Sequence, residues 1–133
     1  MLPNNQVMTK RYKNFLYYWF PVIIYCFLIY LQSSYPSPDS LPNLPYLDKL
    51  IHLAAYALLG ILFFRAYMAQ SFKDNIKLVM ILSIVSSSLY GVSDEIHQYY
   101  VVSRSAELMD VLADIIGSLC GVFVYQLIIE KYR

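Results

Sequence analysis

The stretch Tyr90-Gly91-Val92-Ser93-Asp94-Glu95-Ile96-His97-Gln98-Tyr99 closes an apolar run that begins at residue 76 and is long enough to cross a bilayer. Two carboxylates, an imidazole and an amide are costly at membrane depth, so such groups persist for function or for specific pairing. Three further apolar runs lie at residues 15–31, 50–68 and 108–129. Each is near the roughly 20 residues that cross about 30 Å of hydrocarbon at about 1.5 Å per residue. The expected fold class is therefore all-α, a four-span transmembrane helical bundle.

Composition points the same way. Of 133 residues, 59% are hydrophobic and 14% charged, with a mean hydropathy of +0.48. Soluble domains carry roughly 25% charged residues. A soluble chain this short has too little interior to hide four such runs. Tyr17, Tyr18, Trp19, Tyr46, Tyr99 and Tyr100 fall near span ends, as an interfacial belt requires. The near-neutral net charge and the lack of a basic, aromatic-interleaved cluster exclude a nucleic-acid partner. Cys26 and Cys120 both fall inside spans and are expected to stay unpaired.

Lysine and arginine set the expected orientation. With the N-terminus inside, the cytoplasmic parts carry Lys10, Arg11, Lys13, Arg65, Lys73, Lys77, Lys131 and Arg133, against Lys49 and Arg104 outside. That bias predicts cytoplasmic N- and C-termini in a multi-pass cell-membrane protein. Residues 1–14 then form a basic cytoplasmic N-terminus, 15–129 the membrane domain and 130–133 a cytoplasmic tail. A cleaved signal peptide fits residues 15–31 poorly, because the run exceeds the usual apolar length and is rich in bulky aromatics. Residues 32–46, with Pro36, Pro38, Pro42 and Pro45, predict an extended extracytoplasmic loop. The short connection 69–75 makes the second and third helices antiparallel neighbours.

Helical spacing gathers the polar residues. Asp48, His52, Tyr56 and Gly60 recur every four positions along one stripe of the second helix. Ser83, Ser87, Tyr90 or Gly91, Asp94 and Gln98 follow a similar path on the third, provided that helix continues past Val92. On the fourth, Asp110 and Asp114 share a face with the small-residue track Ala113, Gly117 and Gly121, a pattern that lets membrane helices pack closely. All three sets fall at the same end of the bundle, within reach of Arg104. Asp39, Asp48, Asp94, Glu95, Glu107, Asp110 and Asp114 lie on that side, against Asp74 and Glu130 on the other.

Each group also has a plainer reading. Lys49 and Asp48 can pair at the headgroups, His52 can be an interhelical hydrogen-bond donor, and Tyr56 can be packing. Glu95 points about 100° from Asp94 on a helix and so towards solvent, and Arg104 can serve only to neutralise carboxylates. Their conjunction on three helices at one depth favours a site. Carboxylates with histidine support general acid/base catalysis or a proton relay through Asp114, His52 and Asp94. They can also ligate a divalent metal, although no recognised metal spacing is present and the cofactor is left open. Ser88 and Ser103 lack a nucleophile motif.

At these residues the sequence resembles the VanZ-like family of small bacterial membrane proteins, named for the teicoplanin-resistance protein. Asp48-Lys49-x-x-His52-x-x-x-Tyr56-x-x-x-Gly60 matches its first block and Tyr90-Gly91-x-x-Asp94-Glu95-x-His97-Gln98 its second. Asp110-x-x-Ala113-Asp114-x-x-Gly117 resembles the third, and Arg104 stands where the family places a basic residue. The likeness covers about residues 33–129. Val102-Ser103 replaces the family's Pro-Gly, and Asp114 its usual asparagine, which adds negative charge. The resemblance implies four transmembrane helices and a link to the cell envelope and to glycopeptide resistance. A phosphotransbutyrylase activity attached to relatives is not expected, since no phosphate-cradling glycine loop is present.

Three functions follow as expectations. One is an enzyme acting on a lipid-linked or cell-envelope substrate, with Asp94 and His52 as acid/base pair, Asp48 orienting His52 and Arg104 holding an anionic headgroup. Glu95, His97 and Asp114 complete the catalytic candidates, while Gln98, Tyr56, Tyr90, Lys49 and Asp110 join Arg104 as binding candidates. The second is a non-catalytic protein that binds a glycopeptide or lipopeptide drug, or its lipid target. The third leaves the polar groups to fix helix registry alone. The lipid bilayer is a partner in all three.

Overall fold

The computed structural model describes residues 5–36, 46–102 and 104–132. Among them are four α-helices and no strand: α1 (Asn5–Ser33), α2 (Leu47–Tyr67), α3 (Ile76–Tyr99) and α4 (Leu108–Lys131). All four are long and apolar enough to cross a membrane, over Tyr12–Ser33 in α1 and over the full length of the others. Large apolar side chains such as Phe20, Phe27, Leu89, Phe123 and Leu127 stand exposed around the bundle. In water that surface would aggregate; in lipid it is the natural exterior.

The elements exceed the apolar runs at several ends. Helix α1 begins at Asn5, so the basic segment before residue 15 forms its opening turns. Helix α3 does continue past Val92, to Tyr99. Nothing between residues 93 and 98 breaks a helix, and the Gln98 side chain donates to the Asp94 carboxylate one turn earlier (3.2 Å). At its start, Asn75 caps the helix by accepting the Leu78 N–H (3.1 Å). Most of the proline-rich loop, including Asp39, lies outside the described residues.

Helices α2, α3 and α4 form the packed core, and α1 lies against α2 and α3. The C-terminal turns of α1 and α3 meet the N-terminal turns of α2 and α4. Helices α1 and α3 therefore run one way, and α2 and α4 the other. The closest approach is between α2 and α4. A Cβ placed on Gly117 would strike the Leu53 carbonyl oxygen, and one on Gly121 the Ala57 carbonyl oxygen. Only glycine lets the two backbones touch in this way. Away from the polar end the core is apolar, with Phe64, Val79 and Val122 in one cluster and Val22, Ile29, Tyr56, Leu59 and Ala66 in another.

Candidate functional site

The contact between Gly117 and Leu53 fixes the depth of α4 against α2. It sets Asp114, three residues before Gly117, level with His52, next to Leu53. The result is a bond between His52 Nδ1 and Asp114 Oδ1 of 2.9 Å, with the Asp114 side chain wholly buried. Helix α3 closes the arrangement. Gly91 leaves the space that the Asp114 side chain fills: a Cβ there would lie 2.7 Å from Asp114 Oδ2 and 2.8 Å from its Cβ. One turn beyond Gly91, Glu95 reaches the same centre, with Oε1 4.0 Å from His52 Nδ1.

Glu95, a catalytic candidate whose plainer reading turned it towards solvent, is buried, at 5% exposure. Its Oε2 accepts the Glu107 N–H (3.1 Å), which ties the loop before α4 to α3. Its Oε1 and the Asp114 Oδ2 are buried without any hydrogen-bond partner among the described residues. Buried polar atoms are almost always paired, so two orphaned carboxylate oxygens on neighbouring residues leave the centre with acceptors to spare. His52, Glu95 and Asp114 each offer one donor atom, and the three atoms lie within 4.8 Å of one another. The Tyr56 ring stacks in parallel with His52 (centroids 6.3 Å apart), and its hydroxyl is likewise without a partner among the described residues.

A second set surrounds Lys49. Its ammonium donates to Asp48 (2.7 Å), Glu107 (2.7 Å) and Asp110 (3.0 Å). Asp48, expected to orient His52, is thus turned to Lys49, and Asp114 does the orienting. Asp110 is buried under the ammonium, whereas Asp48 and Glu107 keep contact with solvent.

Most of the remaining candidates bond to α1 or to the residues just after it. Asp94 is buried and accepts from Gln98, whose amide also donates to Ser33 (3.4 Å). Asp94 makes no hydrogen bond to His52, its expected partner in acid/base work. His97 Nε2 pairs with the Ser34 hydroxyl (3.0 Å) and its ring lies 4.7 Å from that of Tyr30. The Tyr90 hydroxyl donates to the Cys26 carbonyl (2.6 Å), which pins α3 to α1. Arg104 donates to the carbonyls of Gln32 (2.7 Å) and Tyr35 (2.8 Å), satisfying backbone acceptors at the end of α1. Sequence spacing set Glu107 on this side and Gly91 on the α3 stripe but made neither a site candidate: Glu107 links both carboxylate sets, and the role of Gly91 is to be empty.

A groove of about 410 Å³ runs beside the centre, between α3 and α4. Val92, Ile96, Tyr99, Leu108 and Val111 line it, with Glu95 in its wall. It is apolar except where it meets the two glutamates, Glu95 and Glu107.

Four apolar helices with buried ionisable residues at one end match what the sequence blocks suggested, and comparison with protein families decides the matter: the model for VanZ/LLP1 matches residues 6–129. The chain belongs to the VanZ/LLP1 family. Comparisons with curated proteins and with solved structures give no match. This VanZ/LLP1 member is a multi-pass membrane protein with four candidate spans. All twelve site candidates named from the sequence lie within the matched residues.

Proposed function

We propose that this VanZ/LLP1 protein binds a lipid-linked or cell-envelope substrate at the extracytoplasmic leaflet and acts on it through His52, Asp114 and Glu95. The observation that carries the reading is the groove that has Glu95 in its wall. A ligand of matching chemistry has an apolar chain for Val92, Ile96 and Val111, and a polar headgroup for the charged end. Lipid-linked envelope precursors have both, and reach the groove sideways from the bilayer. The lysine and arginine distribution supports cytoplasmic termini and hence an outward-facing polar end in the cell membrane. Asp114 holds the His52 ring by its Nδ1, which leaves Nε2 to exchange a proton with a bound headgroup. A role in glycopeptide or lipopeptide resistance follows if the substrate is a drug's lipid target.

The test expresses wild type and His52→Gln at matched membrane levels in a glycopeptide-sensitive Gram-positive host. Lipid-linked envelope intermediates are profiled by mass spectrometry, alongside glycopeptide and lipopeptide susceptibility. The reading expects the wild type to shift the profile and His52→Gln, which keeps a donor for Asp114 but cannot exchange a proton, to leave it unshifted. A wild-type profile identical to that of the empty host overturns it. Protection that survives in His52→Gln, without any change in the lipids, supports instead a non-catalytic binder of the drug or its target.

A further inference from the structure

We propose that His52, Glu95 and Asp114 form a binding site for one divalent transition-metal ion of the Zn²⁺ class. The inference rests on the reading of this centre as the reacting site and adds what completes it. The donors come from three helices: His52 from α2, Glu95 from α3 and Asp114 from α4. Ligand atoms about 2.1 Å from an ion stand about 3–4 Å from one another. The separations here, 2.9 Å from His52 Nδ1 to Asp114 and 4.0 Å to Glu95, are near that spacing before any ion draws them in.

Three observations favour a cation over a purely hydrogen-bonded cluster. First, Glu95 Oε1 and Asp114 Oδ2 are buried and unpartnered, and both residues are more than nine-tenths buried. Lone pairs in that condition lack a donor or an ion. Second, in the deprotonated state that metal ligation requires, two carboxylates and a neutral imidazole carry two negative charges, which a dication cancels in a medium where uncompensated charge is unfavourable. Third, the neighbouring set of Asp48, Glu107 and Asp110 has a cation already, the Lys49 ammonium at 2.7–3.0 Å from each. Lys49 is committed there, and among the described residues no lysine or arginine forms an ion pair with Glu95 or Asp114.

The donor chemistry narrows the ion. One imidazole nitrogen with two carboxylate oxygens suits Zn²⁺, Mn²⁺ or Fe²⁺ better than Mg²⁺ or Ca²⁺, which prefer all-oxygen sets. Binding displaces the proton between His52 Nδ1 and Asp114. Three protein ligands leave an open position, as reactive zinc sites do, and Glu95 borders the groove from which a headgroup would arrive.

The experiment uses the full chain purified in detergent, stripped with chelator and given Zn²⁺ or Co²⁺ alone, without substrate. Titration calorimetry and elemental analysis read stoichiometry, and Co²⁺ absorption reads the ligand field. The expected result is about one ion per chain, with affinity lowered roughly a hundredfold or more in Glu95→Gln and His52→Ala and unchanged in Asp48→Asn; outer-shell losses alone reach that order. Glu95→Gln keeps the side chain's shape and its acceptor for the Glu107 N–H, so it carries the test should His52→Ala not fold. No binding to the stripped wild type, or equal binding in Glu95→Gln, overturns the site. Because no substrate is involved, failure here leaves the proposed function standing, and an inactive lipid profile leaves a measured ion site standing.

Discussion

Gly91→Ala tests whether the centre depends on a space rather than on a charge. The added methyl would sit 2.8 Å from the Asp114 Cβ and 2.7 Å from its Oδ2. Carbon atoms pack at about 3.7 Å, so roughly 0.9 Å must be found. If Asp114 turns aside, it gives up its 2.9 Å bond to His52. If α3 and α4 part instead, Glu95 moves off the His52 centre with them. Either response breaks the three-residue geometry without changing an ionisable group. Overpacking costs about 1–3 kcal/mol, and replacing glycine in a helix returns about 1 kcal/mol. The net loss is too small to unfold a bundle held by four helices. A displacement near 1 Å at a reacting centre can lower a rate about a hundredfold. The variant should thus accumulate normally, unfold within a few degrees of wild type in detergent, and lose the wild-type effect on lipid-linked intermediates. Leu89→Ala, two residues away on the lipid-facing side, should show neither change. Full function in Gly91→Ala would refute the claim that Asp114 must occupy this slot.

Other perturbations separate scaffold from site. Gly117→Leu drives a side chain into the Leu53 backbone, which cannot move aside; it should destabilise the bundle by about 3 kcal/mol, read as a lower unfolding midpoint in detergent. Lys49→Met leaves buried Asp110 without its cation and should cost roughly 1–3 kcal/mol. Adding Asp110→Asn should recover part of that loss in a double-mutant cycle, while strict additivity would show that the pair is not coupled. Tyr90→Phe removes the bond to the Cys26 carbonyl and should cost about 1 kcal/mol of stability, with the lipid profile unchanged. A lost profile at wild-type stability would return Tyr90 to the substrate-binding residues.

The partition between sequence and structure is clearest at Glu95. A helical wheel sets it about 100° from Asp94, and with one buried face assumed it turns outward. Helix α3, however, packs on three neighbours. Gln98, which also holds Asp94, reaches α1 through Ser33, whereas Glu95 reaches α2 and the start of α4 through His52 and Glu107. A wheel counts angles on one helix; it does not know how many sides of that helix are covered. The same blindness assigned Asp48 to His52, because both lie on one stripe of α2. The real partner of His52 is Asp114 on α4, and Asp48 pairs with its own neighbour Lys49.

The amino-acid sequence by itself determined that four helices are long and apolar enough to span a membrane and that the family blocks are those of VanZ/LLP1, whereas the structure was needed to carry α3 past Val92 to Tyr99. Run length and residue spacing are local properties, so the chain states them directly. Only the tertiary structure decided which carboxylates meet the imidazole, because pairing depends on the depth and rotation of one helix against another. Those are set by backbone contact at Gly117 and Gly121 and by the empty slot at Gly91. A one-residue slip along any helix would rotate its side chains by about 100° and disperse the centre.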